Sequence, residues 1–281
     1  MNKRGLAIWA LVLIPGCFVL AIFVIPLAAI FLSSLGGEAG GPTIANYVET
    51  VTNPRYLSAL AATIRVSAIV TLVCAVAGYF IAYFMVFQLK SRLLKRFCYI
   101  VVVLPLFTSN VVRSFGFMII LSRNGPINQT LLVSGMADRP LRLLYNELSV
   151  IIGLTYISLP FAVLAIVAAL HSIRPELLNA ANDLGAGPAS TFAKIVFPLS
   201  LPGVVSGGVL TFTLCVSAYV TPSIMFGGRG SVMSIEIYEQ YMSALNFPLG
   251  AALAICLTIT ALALIILQAW LTNRTMAWSR Q

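Results

Sequence analysis

Charge is scarce in this chain. Aspartate, glutamate, lysine and arginine make up 9% of its 281 residues, against about 25% in a soluble domain. There is one histidine, His171. It falls at the end of an apolar run, where a helix-terminal or interfacial role is preferred over metal binding or proton relay. The five cysteines, Cys17, Cys74, Cys98, Cys215 and Cys256, stand singly in apolar runs. No Cys-x-x-Cys pair is present, which argues against zinc and disulfide frameworks and leaves small buried hydrophobes. The phosphate-cradling Gly-x-x-x-x-Gly-Lys-Ser/Thr loop is missing, so the chain itself is not expected to hydrolyse ATP. No histidine–carboxylate cluster or nucleophile elbow appears, and no catalytic or metal-binding residue is assigned.

Apolar length is abundant. The chain is 60% hydrophobic with a mean hydropathy of +0.99. Several runs exceed the roughly 20 residues that cross a bilayer core. Breaks at charge and turn residues predict about six spans, at 6–35, 60–89, 97–121, 148–170, 204–226 and 249–271. The first run is long for a signal peptide and lacks a small-residue cleavage site, so a retained signal anchor is expected. Pro15 and Pro26 within it are tolerable kinks. Residues 1–58 are expected to form the first span and an external loop that includes Gly36-Gly37 and Gly40-Gly41-Pro42. Residues 59–271 are expected to form a core of five spans, and 272–281 a tail.

Basic residues orient these spans. With the N-terminus inside, Lys3, Arg4, Lys90, Arg92, Lys95, Arg96, Arg174, Lys194, Arg274 and Arg280 fall inside, ten in all. Five fall outside: Arg55, Arg123, Arg139, Arg142 and Arg229. Acids show the opposite bias, with Glu38, Glu49, Asp138, Glu147, Glu236 and Glu239 outside and only Glu176 and Asp183 inside. Both termini are therefore expected in the cytoplasm. The net charge of +9 is then the ordinary topogenic excess and not a nucleic-acid footprint.

One cytoplasmic stretch, 172–203, is too polar to span. It carries Arg174, Glu176, Asp183 and Lys194, and a helical run over 175–184 that ends at Gly185, Gly187 and Pro188. Pro175 suits a first helical turn, with Ser172 or Arg174 ahead of it. Ala180 and Ala181 keep one surface slim, and Gly185 supplies the positive φ that ends a helix. The bland alternative is an amphipathic linker between spans.

Within this stretch Asn179-Ala180-Ala181 is followed after three residues by Gly185, after nine more by Ile195, and then by Leu201-Pro202. The pattern resembles the signature of ABC importer permeases, Glu-Ala-Ala, Gly, then Ile-x-Leu-Pro, with Asn179 in place of the glutamate. Pro198-Leu199-Ser200-Leu201-Pro202-Gly203 fits a variant common in that family. Leu104-Pro105, Thr108-Ser109, Val112-Arg113, Gly125-Pro126-Ile127-Asn128 and Leu131 resemble its polyamine branch. So do Thr63, Thr71, Gly78, Ala82 and Tyr83, and Tyr219-Val220-Thr221-Pro222 with Gly227-Gly228. The resemblance covers 46–271.

It implies an all-α membrane protein of the type I ABC importer permease fold, in a bacterial inner membrane, with a cytoplasmic coupling helix. The coupling helix would dock on an ATPase through Glu176, Asn179, Ala180, Ala181, Asp183 and Gly185. Expected partners are two copies of a cytoplasmic ATPase subunit that bind ATP and Mg, a second, paralogous permease subunit, a periplasmic or lipid-anchored solute-binding protein, and membrane lipid. No cofactor is expected in this chain itself. The implied solute is polyamine-like, of the spermidine/putrescine class. An opine, amino-acid derivative, phosphonate or ferric iron are the alternatives.

Candidate solute contacts are few. Glu236 and Glu239 would share a face if 234–243 is helical, and carboxylates beside Tyr238 and Tyr241 suit an ammonium group. A solvated loop or a docking face for the binding protein is the competing reading. Ser217, Tyr219 and Thr221 are polar pore candidates or interhelical packing groups. Arg113 and Arg65 read as structural or snorkelling arginines near the outer end. A stand-alone secondary transporter would need carboxylates within the spans, and the acids all fall outside them. An intramembrane enzyme lacks a catalytic set.

Overall fold

A backbone that leaves water must satisfy its own hydrogen bonds, and an α-helix does this within one segment. The computed structural model is built of helices joined by short loops over the described residues, 3–37 and 41–277. Side chains at 3–12, 14 and 271–277 fall outside the description. Glu38, Gly40 and Arg280 lie outside the described residues, and the side chains of Lys3, Arg4 and Arg274 are likewise not described.

In chain order the helices are α1 (Lys3–Ser34), α2 (Ala45–Thr52) and α3 (Pro54–Tyr83), which continues as a π turn (Phe84–Gln88). α4 (Arg92–Val103) runs through a 3-10 turn (Leu104–Phe107) towards α5 (Asn110–Leu121) and α6 (Pro126–Val133). α7 (Glu147–His171), the short α8 (Pro175–Asp183) and α9 (Pro188–Thr191) follow, then a π turn (Phe192–Val196) into α10 (Phe197–Val216). α11 (Val220–Phe226), α12 (Met233–Met242) and α13 (Phe247–Ala277) complete the described chain.

Five helical stretches are long and apolar enough to cross a membrane, and the bent pair Arg92–Phe107 with Asn110–Val133 can make a sixth. Two of the six expected spans are broken. The one expected at 97–121 bends by 102°. Pro105 lacks an N–H to continue the helix, and the Ser109 hydroxyl caps the next one, accepting from Val111 N at 3.3 Å. The span expected at 204–226 stops at Val216 and restarts at Val220. Pro222 cannot donate to the carbonyl four residues before it, that of Ala218. The Ser234 hydroxyl takes that carbonyl instead, at 2.7 Å.

The chain divides into two compact units. The smaller comprises 1–58 and 236–259. In it Asn46 Nδ2 donates to the carbonyls of Ser34 and Gly36, each at 2.9 Å, and Ser34 Oγ pairs with Tyr47 OH at 2.6 Å. The open C-terminal end of α1 is thus tied to α2.

The larger unit comprises 59–235 and 260–281. In it α7 packs broadly against α10. Small residues make this possible. A Cβ on Gly207 would sit 3.1 Å from Ala162 Cα, and one on Gly203 would sit 2.9 Å from the Ala165 carbonyl. Close backbone approach through small residues is a main source of helix association in lipid, where burial from water gives no drive. One apolar cluster, including Val70, Cys74, Leu154, Ala162 and Cys215, fills the space beside this contact. A second, including Tyr79, Met85, Ile166, Leu170 and Ile173, lies towards the α8 end.

Replacing Gly207 with valine is expected to lower stability by about 1–3 kcal/mol, the range for overpacking a close contact. Thermal unfolding of the purified protein in detergent measures this; an unchanged midpoint contradicts the close-contact account.

Candidate functional site

α8 is nine residues long, about 14 Å, less than half of a bilayer core. Pro175 occupies its first turn, preceded by Arg174 in extended backbone. Its end is a Schellman turn. Gly185 N donates to the Asn182 carbonyl and Ala186 N to the Ala181 carbonyl, both at 2.9 Å. Gly185 itself has φ +75°, with open space around the position a Cβ would take.

The helix has two faces. Ala181 is buried, and half-buried Leu178 packs on the cluster formed by Ile173, Leu170 and Met85. Phe192 props that cluster, edge-on to Tyr83 at 5.3 Å and 90°. On the other face Glu176, Asn179, Ala180 and Asp183 are exposed. Ala180 and Ala181 therefore have different surroundings. Beside the polar face Leu184 is 88% exposed, with nothing among the described residues to cover it. The sequence pattern gave no weight to Leu184, although an apolar residue directly before a helix-ending glycine is a readable signal.

The break between α10 and α11 holds the polar candidates, and they differ in availability. Ser217 is exposed, its hydroxyl turned back onto the Thr213 carbonyl at 3.0 Å. Tyr219 is half-buried. Thr221 is buried and shares a hydrogen bond with Ser114 at 2.9 Å, which ties α11 to α5. One residue away, Arg113 Nη2 donates to Asn110 Oδ1. Its Nε and Nη1 are buried and have no hydrogen-bond partner among the described residues. A structural arginine ordinarily places backbone carbonyls on such atoms, and none does so among the described residues. Arg65 instead pairs with Glu147 in the first turn of α7.

Glu236 and Glu239 do lie on one helix, α12, and on one face of it. Both are met by Arg55, whose Nε is 2.8 Å from Glu236 Oε2 and whose Nη2 pairs with Glu239. Glu236 is 1% exposed and Glu239 45% by side chain. Close by, Gln240 Nε2 donates to Tyr56 OH at 3.3 Å. In the sequence Arg55 counts only as one of five basic residues on the outer side. A partner 181 positions away along the chain leaves no local pattern to read. Among the described residues no group of histidine, cysteine and carboxylate could hold a metal.

The family described as "Binding-protein-dependent transport system inner membrane component" matches residues 74–277. The chain belongs to that family. It is an ABC importer permease of the inner membrane, crossing it several times. It is 32% identical over 234 residues to the spermidine/putrescine transport system permease protein PotB of Escherichia coli K12, covering 83% of this chain and 84% of that one. The Haemophilus influenzae PotB is 32% identical over 268 residues, covering 94% and 90%. A bacterial ABC transporter involved in the import of the acidic polysaccharide alginate has the same fold, with TM-score 0.78 at 18% identity over 97% of this chain and 96% of that one. A second structure of an alginate importer contains a periplasmic protein bound to an alginate pentasaccharide, and its chain matches with TM-score 0.78 at 19% identity.

The Arg55 cluster has a testable asymmetry. Arg55→Gln leaves the buried Glu236 carboxylate without its cation and is expected to destabilise the permease by about 1–3 kcal/mol. Glu239→Gln removes only the exposed arm, with an expected loss below about 1 kcal/mol. Equal shifts in the thermal unfolding of the two variants contradict this assignment.

Proposed function

We propose that this permease is one half of the membrane channel of an ATP-driven importer for a small, polyamine-like cation, and that α8 is the helix that couples it to a cytoplasmic ATPase subunit. The observation that carries the coupling reading is the build of α8. Its inner face is seated on the apolar cluster between α3 and α7, its C-terminal end is closed, and its polar face and Leu184 are left exposed. Glu176, Asn179, Ala180, Asp183 and Gly185 form the docking edge. Asn179 offers an amide where the family pattern has a carboxylate, so the acidic contacts come from Glu176 and Asp183, and Leu184 fills an apolar pocket on the ATPase.

The working cycle is alternating access. Two ATPase subunits bind ATP and Mg, close on each other, and draw α8 and its counterpart on a second, paralogous permease together. The channel between the two permeases opens outward to a solute-binding protein. Hydrolysis resets it and releases the solute inside. Both termini and α8 lie in the cytoplasm, as the distribution of arginine and lysine supports. The polyamine assignment is supported by the two PotB relatives. The other small-solute readings, from opines to ferric iron, separate from it by direct binding measurements on the solute-binding protein.

Ser217 and Tyr219 sit at the helix break, where irregular backbone is tolerated beside a cavity, and Thr221 positions them through Ser114. Glu236 and Glu239 set two carboxylates against the single guanidinium of Arg55. The excess negative charge favours a cationic solute, with Glu239 the arm that reaches solvent.

Two outcomes follow. Gly185→Arg, which places a side chain at φ +75° and thickens the docking edge, is expected to abolish ATP-driven uptake and to release or uncouple the ATPase. Retention of the ATPase with normal coupling in the purified complex rules out this role for α8. Glu239→Gln is expected to raise the KM for spermidine uptake several-fold at unchanged permease abundance; unaltered kinetics remove Glu239 from the solute path.

A further inference from the structure

Beyond orienting the spans, one strongly charged surface has no part in the proposed transport cycle: the N-terminal half of α4 and the turn before it. Lys90, Arg92 and Arg96 are exposed, and no ion pair is formed by any of them among the described residues. Lys95 differs from them. Its Nζ donates to the Val86 carbonyl at 3.1 Å, so it holds α4 against the π turn. Arg92 and Arg96 are four residues apart and share a helix face.

Beside them runs an unpartnered apolar stripe. Leu93, Phe97, Ile100 and Leu104 are 79%, 60%, 61% and 59% exposed. From Leu93 to Leu104 the stripe is about 16 Å long, close to the depth of one leaflet's hydrocarbon. Ser91, Leu93, Leu94, Arg96, Phe97 and Ile100 line one open depression on α4, so that Arg96 borders the apolar stripe. Phe97 also borders a second cleft of about 620 Å³, between α4 and Phe80 and Phe84 of the preceding segment.

We propose that this surface is a binding site for one anionic phospholipid. Arg92 and Arg96 take the phosphate, for which planar guanidinium forks are suited. Lys90 adds a third positive charge at the headgroup, and an acyl chain lies along Phe97 and Ile100. The charge decides between occupants. A protein helix could cover the stripe but would leave three cations unmatched, and a zwitterionic lipid brings its own ammonium beside the phosphate. A basic pocket at a membrane boundary is the usual setting for anionic headgroups. The assignment to the cytoplasmic leaflet rests on the orientation proposed above; the binding itself does not.

The test is native mass spectrometry of the detergent-purified, assembled transporter titrated with dioleoylphosphatidylglycerol or dioleoylphosphatidylcholine. Phosphatidylglycerol is expected to be retained over phosphatidylcholine by about tenfold or more, the scale of charge-assisted hydrogen bonds. Arg92→Gln with Arg96→Gln is expected to abolish that preference while the subunits stay together in the same spectrum. Phe97→Gln, which leaves the charges in place, is expected to weaken retention of both lipids. A preference that survives the double arginine variant overturns the proposal. So does subunit loss in that variant, which would make the surface a protein interface. Displacement of the lipid by millimolar inorganic phosphate alone would make it a free-anion site and overturns the proposal as well. None of these outcomes depends on whether α8 docks the ATPase.

Discussion

The close approach of α7 and α10 is the contact on which the rest of the larger unit depends. α8 hangs between these two helices in the chain, so its position is no firmer than theirs. Gly203 and Gly207 let the two backbones meet at Ala162 and Ala165. Without water to drive apolar association, that packing must come from shape. The Tyr79–Ser200 hydrogen bond, 2.9 Å and buried, adds α3 to the pair. At the α8 end, Phe192, Tyr79 and Tyr83 form edge-on contacts. α8 therefore rests on a packed three-helix wedge, as the proposed coupling role requires.

Both helix breaks depend on hydrogen bonds supplied by side chains. A membrane helix can stop only where other groups take over its backbone hydrogen bonds. At 217–219 the substitute is Ser234 on the Ala218 carbonyl, and at the other bend it is the cap by Ser109. The Ser114–Thr221 bond joins the helices that follow these two breaks. Polar side chains here thus stabilise irregular backbone first. The proposed channel role of Ser217 and Tyr219 presupposes that stabilisation.

Local features were legible from the sequence, and long-range ones were not. The helix over 175–184, its proline start and its glycine stop can be read directly, because caps and turns act within a few residues. Span positions followed from apolar length. The two breaks were missed because hydropathy registers composition over a whole window and does not register one absent N–H at Pro105 or Pro222. The pairing of Arg55 with Glu236 and Glu239 was invisible because it joins distant segments. Ala180 and Ala181 looked equivalent in a motif, yet one is exposed and the other buried, since neighbours on a helix point about 100° apart.

The exposed face of α8 is the part of this permease that must meet another protein if transport is driven from the cytoplasm. Its most exposed large apolar side chain is Leu184, and a photo-reactive benzophenone amino acid at that position reports its neighbour directly. Irradiation of inverted membrane vesicles containing the assembled transporter is expected to yield a covalent adduct between the permease and the cytoplasmic ATPase subunit. An adduct with lipid alone, or no adduct with the ATPase when both proteins are present in the vesicles, would contradict the coupling role of α8.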